Sequence, residues 1–288
     1  ATYFEVEEIA VGYDCRLSSP SLFDALARGV RECGTNVVDL GMISTEMHNF
    51  ASGYYQFGAN IIISASHNPP QYNGAKIIRR GVIPLSGEEG LPEIKHIIEK
   101  GTYKESEKKG IVRKKEIMRE WIFHLLLFID AGKLKKLKVV IDAGNGMGGI
   151  AWRQLQGHLP IEIIPLYFTP DGHFPHHLPD PLTSSNLVDV QKEIVAKGAD
   201  LGFAHDGDAD RVTILDEKGK IISGTITTAI LADYLLEKYG PSPILYNAVC
   251  GRIVPQTIEK KGGIPYRVRV GHSFIKRAMR EKKALFAG

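Results

Sequence analysis

Short runs of aliphatic and β-branched residues alternate along this chain with amphipathic stretches of helical period. This βα alternation limits the fold more than any other feature. VVDLG at 37–41 leads into a helical stretch to Phe57 and then into NIIISAS at 60–66. KVVIDAGNGMGG at 138–149 carries a continuous apolar strand into a glycine-rich turn and a helix. The strand IEIIPLYF at 161–168, a helix near 186–197 and the strand ADLGFAHD at 199–206 follow. Beyond the hairpin-like VTILDEKGKIIS at 212–223, a third cycle predicts helix 226–239, the strand PILYNAV, helix 252–261, the strand YRVRV and helix 273–282. ALFAG then reads as the beginning of another strand. Gly29 and Gly34 flank the end of the first helix, and Pro69, Pro70 and Gly74 punctuate the loop after the second strand. A polar Lys/Glu/Gly stretch from Glu99 to Lys115 predicts a separator between the first unit and the next.

With 288 residues, 43% of them apolar, the chain can bury two or three ordinary cores. The net charge of +3 is small and dispersed, which argues against a nucleic-acid or membrane surface and leaves small anionic ligands open. Cys15, Cys33 and Cys250 lie far apart and form no CxxC pair, so neither a disulfide framework nor a zinc site is expected, and a reducing, cytoplasmic setting is the default. The longest apolar run, Trp121 to Ile129, contains His124 and falls short of the ~20 residues that span a bilayer. It reads as a buried helix. No signal-peptide pattern opens the chain, and a first residue of Ala rather than Met predicts a trimmed N-terminus.

Two segments carry chemistry. In SASHNPPQYNG, Ser66 follows a predicted parallel strand on a Pro- and Gly-rich loop, where open α/β sheets place ligands. His67 and Asn68 offer a proton carrier and amide donors, and Pro69 and Pro70 restrict the loop. A serine so placed serves as a nucleophile or, once phosphorylated, as a phosphoryl donor. On composition alone the segment reads as a turn, because Ser, Asn and Pro are common turn residues. The GxSxG elbow of acyl hydrolases is absent around Ser66.

The second segment is HDGDADR at 205–211, where Asp206, Asp208 and Asp210 alternate directly after an apolar strand. Three carboxylates so close repel one another unless a cation binds. Oxygen-only ligation favours Mg²⁺ or another hard cation over zinc. The guanidinium fork of Arg211 suits a phosphate beside that metal. An EF-hand would find Glu217 at its twelfth position, but Arg211 stands at the sixth, where the loop requires Gly, and strands rather than helices flank it. The remaining alternative is a solvated acidic turn. GxxxxGK[ST] occurs nowhere, which excludes a P-loop kinase.

SASHNPPQYNG, DAGNGMGG, the DGHFPHHLPDPL loop, DGDADR and VGHSFIKRAM at 270–279 stand in an order and spacing that resemble the α-D-phosphohexomutases, meaning the phosphomannomutases and phosphoglucomutases, over nearly the whole chain. The resemblance implies an α/β fold of tandem βα domains with mixed, mainly parallel sheets sandwiched by helices. It divides the chain into 1–116 with the phosphoserine loop, 117–222 with the metal loop, and 223–288 as a partial third domain. It implies a phosphohexomutase interconverting hexose 1-phosphate and 6-phosphate of the mannose or glucose type, acting through a phosphoserine with a hexose 1,6-bisphosphate as intermediate and activator. Ser66 would carry the phosphoryl group, with Lys76 and His67 as the candidates for proton transfer or charge stabilisation. Asp206, Asp208 and Asp210 would bind Mg²⁺ together with an oxygen on Ser66. Arg211, Gly271 and His272 would touch the sugar or its phosphate; the plain alternative for His272 is a neighbour of a helix N-cap. Asp14 and Arg16 match an N-terminal motif with a structural role. His173, His176 and His177 look like metal ligands by type, but the resemblance makes theirs a connecting or substrate-side loop.

Hexose phosphates are thus the implied partners, with neither nucleic acid nor membrane. The family plan has four domains, and against it this chain lacks the opening strand with its YDIRG-like segment, the sugar-recognising loop and the C-terminal domain. The expectation is little turnover, because remote binding energy orients the reacting centre. His205 stands where the family is often aromatic or apolar, and Val249 where it is often basic. Two alternatives stay open: a noncatalytic metal- or sugar-phosphate-binding fragment, and the phosphoglucosamine branch.

Overall fold

The computed structural model describes the backbone of residues 1–288 and every side chain except those of His272 and Ser273. The chain divides into two compact units, Ala1–Lys220 and Ile221–Gly288, and each is described by itself.

The first unit begins with β1 (Glu8–Tyr13), α1 (Ser19–Glu32), β2 (Asn36–Met42), α2 (Thr45–Tyr55) and β3 (Ala59–Ile63). Strand β1 pairs in parallel with β2 on one side and with β3 on the other. The chain therefore crosses from β1 to β2, then returns past β1 to reach β3. Because such crossovers are right-handed, this reversal sends α1 and α2 to opposite faces of the sheet. The side chains record it: Ile9 and Val11 pack with Ala27 and Val30 of α1, whereas Ala10 packs with Met47, Phe50 and Ala51 of α2. Strands alternate their side chains between faces, so a strand covered on both must be apolar throughout, and Ile9, Ala10 and Val11 are all fully buried. The point of reversal, at the carboxyl ends of β1 and β3, is where a crevice opens in sheets of this kind. Ser66 lies in the loop after β3.

An antiparallel hairpin, β4 (Ala75–Arg79) and β5 (Ile83–Pro84), extends the sheet beyond β3. After α3 (Leu91–Lys100), the chain returns as β6 (Val112–Lys114), parallel to β2, giving the order β5-β4-β3-β1-β2-β6. The polar stretch from Glu99 to Lys115 thus ends in a strand of the first sheet rather than serving only as a separator. Exposure explains the misreading, since all three residues of β6 face solvent at the sheet edge and carry no apolar pattern.

Helix α4 (Met118–Leu126) corrects a second expectation. The apolar run to Ile129 is not a buried helix along its length: Trp121 and Ile122 are buried, but Phe123 is 53% and Leu127 74% exposed. Helical period puts Trp121, Ile122, Leu125 and Leu126 against one core and turns Phe123 away from it. That core also takes in Trp152 and Leu155 of α5 (Gly148–Leu155). No helix among the described residues is long and apolar enough to cross a membrane.

The second sheet repeats the logic of the first. Strands β7 (Leu137–Asp142), β8 (Ile161–Leu166) and β9 (Leu201–His205) are joined through α5 and α6 (Val188–Lys197), and β7 lies between the other two in parallel. Val139 and Ile141 face Trp152 of α5, while Val140 faces Val190 and Ile194 of α6. Strand β10 (Val212–Leu215) turns back antiparallel on β9, and the six residues between them hold the alternating aspartates.

The second unit opens with β11 (Ile221–Ile222) and α7 (Gly224–Tyr239). Strand β12 (Pro243–Asn247), α8 (Ile253–Lys260), β13 (Ile264–Val268), α9 (His272–Lys282) and β14 (Phe286–Ala287) complete it. Its sheet has the order β13-β12-β14, all parallel, with Ala229, Ala232, Leu236, Val254 and Ile258 in its core. Mixed, mainly parallel sheets between helices are therefore the architecture, as the βα alternation and the resemblance imply.

Trp121→Ala is expected to destabilise the first unit by about 3–5 kcal/mol in urea unfolding, and Leu127→Ser by less than about 0.5 kcal/mol. Equal losses would contradict the division of the 121–129 run into packed and solvated positions.

Candidate functional site

Ser66 sits at the reversal point of the first sheet with φ +53°, in the left-handed region that a residue with a side chain rarely occupies. The conformation is held by a buried cation. The side chain of Arg16, fully buried, donates from Nη2 to the carbonyls of Ser66 and Asn68, both at 2.7 Å. From Nη1 it donates to those of Pro69 at 2.8 Å and Tyr72 at 3.1 Å. Asp14 balances the charge, taking Arg16 Nε at 3.1 Å and the Ser19 hydroxyl at 2.7 Å. A buried guanidinium with its donors satisfied by four carbonyls of one loop is a template for that loop.

So held, the Ser66 hydroxyl leaves its own loop. Its Oγ donates to Asp206 Oδ2 at 2.8 Å and lies 3.3 Å from His67 Nδ1. The two loops touch through glycine: a Cβ on Gly207 would stand 2.5 Å from the Ser66 carbonyl oxygen. The DAGNG turn after β7 supports the contact from behind, with Met147 N donating to the Gly207 carbonyl at 2.9 Å.

Asp206, Asp208 and Asp210 each offer a carboxylate oxygen, and these oxygens lie within 4.8 Å of one another. Asp206 and Asp208 are fully buried. Positive charge reaches them from Lys76 on β4, whose Nζ donates to Asp208 Oδ2 at 2.5 Å and Asp210 Oδ2 at 2.7 Å. Thr45 Oγ1 and Ser64 Oγ also donate to Asp208 Oδ2, the latter at 3.3 Å. All these donors meet one oxygen of Asp208. The other, Oδ1, is buried and finds no hydrogen-bond donor among the described residues.

Burial would push the carboxyls of Asp206 and Asp208 up, and the outcome differs by neighbour. Asp206 is raised, by burial first and then by Asp208 and Asp210. Burial also opposes the Asp208 charge, but Lys76 outweighs it and the carboxyl ends below its ordinary value. Lys76 is in turn raised despite its own burial, by the same two carboxylates, so it is a fixed cation at neutral pH. An unpartnered buried carboxylate oxygen and a neighbour whose ionisation is resisted are the features that a hard cation would satisfy, and the donor set is all oxygen. The residues fit Mg²⁺.

Arg211 stands at the rim, its side chain 43% exposed, with Nε 3.9 Å from Asp206 and from Asp210, beyond hydrogen-bond range. Gly271 caps α9 in the second unit with φ +130°. The side chain of His272 lies outside the described residues. The histidines of the 169–185 loop do not converge. His173 pairs with Asp171 at 2.9 Å, His176 Nδ1 lies 2.7 Å from Asn145 Oδ1, and His177 Nε2 lies 3.0 Å from Asp142 Oδ2. His205 accepts a bond from Trp152 Nε1 at 2.8 Å, and burial pulls its pKa down to about 4, so it is a neutral packing group.

Three family models cover the chain in sequence: phosphoglucomutase/phosphomannomutase alpha/beta/alpha domain I over residues 1–105, domain II over 120–219 and domain III over 223–288. The chain belongs to the phosphoglucomutase/phosphomannomutase family. A phosphomannomutase of Vibrio cholerae is 36% identical over 285 residues, covering 97% of this chain and 62% of the relative. A phosphomannomutase of Escherichia coli K12 is 34% identical over 293 residues, covering 99% of this chain and 64% of the relative. The crystal structure of a phosphoglucomutase/phosphomannomutase family protein from Burkholderia thailandensis superposes with a TM-score of 0.92 at 31% identity, over 100% of this chain and 65% of that one. The chain thus spans somewhat less than two thirds of the length of these family members.

The raised Asp206 carboxyl gives a test that does not need substrate. Because the folded state binds this proton more tightly than the unfolded state, metal-free stability falls as pH rises above the ordinary carboxylate value of 3.8. The loss is up to about 1.4 kcal/mol per pH unit. Saturating Mg²⁺ or Asp206→Asn should flatten that part of the melting-temperature profile. An unchanged slope in the variant would contradict the assignment.

Proposed function

We propose that the protein acts as a phosphohexomutase, interconverting the 1-phosphate and 6-phosphate of a mannose- or glucose-type hexose through phospho-Ser66 and a hexose 1,6-bisphosphate. The observation that carries the reading is the contact of the Ser66 hydroxyl with Asp206 beside the unpartnered oxygen of Asp208. Phosphoryl transfer is governed by positioning and charge stabilisation, and this arrangement offers both.

In the forward half, the bond between phosphorus and Ser66 Oγ breaks as a bond to a sugar hydroxyl oxygen forms, the hydroxyl proton passes to solvent, and Ser66 Oγ takes a proton as it leaves. His67, whose Nδ1 lies 3.3 Å from Ser66 Oγ, is the group suited to give that proton and to take it back in the return half. Lys76, held charged by Asp208 and Asp210, stabilises the negative charge that develops on the transferring group. Arg211, held only by long 3.9 Å ion pairs with Asp206 and Asp210, is poised to take a phosphate oxygen. In the return half, the bisphosphate, turned end for end, gives its other phosphoryl group back to Ser66. Asp206, Asp208 and Asp210, with an oxygen on Ser66, would hold Mg²⁺, which when bound neutralises phosphate charge. Gly271 and His272 are proposed sugar or phosphate contacts. We assign 1–116, 117–222 and 223–288 as successive domains, each with one strand-order reversal at β1, β7 and β12.

A second reading, noncatalytic metal or sugar-phosphate binding, would use the same acidic cluster without any transfer through Ser66. One experiment separates the two. With Mg²⁺ and a hexose 1,6-bisphosphate, intact mass is expected to gain one phosphoryl group on Ser66, absent in Ser66→Ala and chased onto added hexose phosphate. Lys76→Met should slow the transfer by about 10²-fold or more. Binding without phosphorylation would favour the noncatalytic reading, and label persisting in Ser66→Ala would overturn the assignment of the serine.

A further inference from the structure

The loop from 169 to 185 has no chemical step in this scheme, yet it touches both halves of the site. Gly172 lies on the backbone of the Arg16 turn, where a Cβ would stand 2.5 Å from the Cys15 carbonyl oxygen and 2.7 Å from Leu17 N. Phe174, buried, lies under the Arg16 guanidinium at 5.2 Å, and Arg16 is the group that shapes the Ser66 loop. Pro179 meets the aspartate loop, with its Cγ 3.2 Å from the place a Gly207 Cβ would take. A single connecting loop therefore rests on the supports of the nucleophile and of the carboxylates at once.

Its own anchor is His177. Nε2 lies 3.0 Å from Asp142 Oδ2, and Nδ1 lies 2.9 Å from the Leu178 carbonyl oxygen. Both ring nitrogens face acceptors. A neutral imidazole has only one N–H, so it would set a lone pair against an oxygen at one of these contacts, and the geometry favours the doubly protonated ring. Asp142, itself fully buried at the end of β7, takes Gly144 N at 2.8 Å with its other oxygen. The charged and titratable groups facing the ring are Asp142 from β7, Asp189 from α6, His176 beside it and Tyr167, whose hydroxyl donates to Asp189 at 2.8 Å. Burial opposes the imidazolium charge, but Asp142 outweighs burial and the net direction is upward.

We propose that His177 is a positioning residue whose imidazolium, clasped by Asp142, seats the 169–185 loop on Arg16 and Gly207 and so keeps the Ser66 hydroxyl registered on the aspartate loop. Losing the ring proton releases the seat. Since the folded ring holds its proton above the ordinary 6.5, the clasp is complete below that pH and is lost as pH rises through the raised value. The inference rests on Ser66 and the aspartates being the reacting site, but its test does not read turnover.

Hydrogen exchange of the whole chain at saturating Mg²⁺, which removes the pH dependence of Asp206, would be corrected for intrinsic rates and followed across a pH series in segments 64–74 and 206–211. His177 itself would be titrated by NMR in the same samples. Exchange in both segments is expected to rise together by roughly tenfold or more as the ring deprotonates. His177→Gln should already be raised at low pH, with no pH step, and Asp142→Asn should lower the midpoint. Should His177→Gln fail to fold, the pH step in the unaltered protein decides the matter. The proposal is overturned if only 169–185 loosens, or if the two segments keep their protection through the His177 titration. Failure of Ser66 to accept phosphate would remove the mutase reading and leave the exchange result standing.

Discussion

Collecting three carboxylates within 4.8 Å at the end of β9 is the constraint on which the rest of this architecture depends. Each carboxylate raises the cost of ionising the others, and burial adds to it. The fold brings Lys76 across from the first sheet, aims Thr45 and Ser64 at the same oxygen of Asp208, and lets Ser66 bond to Asp206. Even so, one buried oxygen is left without a donor among the described residues, and one carboxyl still resists ionisation. A site so balanced is short of positive charge by construction, and a divalent cation is the economical remedy.

That arrangement works only because two sheets present their reversal points to each other within one compact unit. The loop after β3 brings the serine, and the loop after β9 brings the aspartates. Neither is rigid by virtue of its strand alone. Arg16 gives the serine loop its shape by collecting four of its carbonyls, and glycine at 207 allows backbone contact that any Cβ would block. The site is thus a meeting of two loops, each shaped by a buried group outside it.

Much of this was legible in the sequence, and the division between legible and hidden follows distance along the chain. Ser66 and the DGDADR run are local patterns after apolar strands, so strand pattern and charge repulsion point to them directly. Arg16 reads as merely structural because its partners lie 50 to 56 residues away. Thr45 meets Asp208 across 163 residues, and Ser64 meets it across 144, separations that no local pattern encodes. Strand β6 was hidden for another reason, since an exposed edge strand needs no apolar face. The apolar run at 121–129 misled in the opposite direction, because composition suggested burial where helical period allows it on one face only.

Anomalous diffraction from crystals of the Ser66-phosphorylated chain grown with Mn²⁺ tests the central claim most directly. The account requires one strong peak about 2.0–2.2 Å from oxygens of Asp206, Asp208 and Asp210, with a phosphate oxygen on Ser66 completing the set. A peak that leaves out Asp208, or an ion bound elsewhere while Lys76 keeps both its carboxylates, would contradict it.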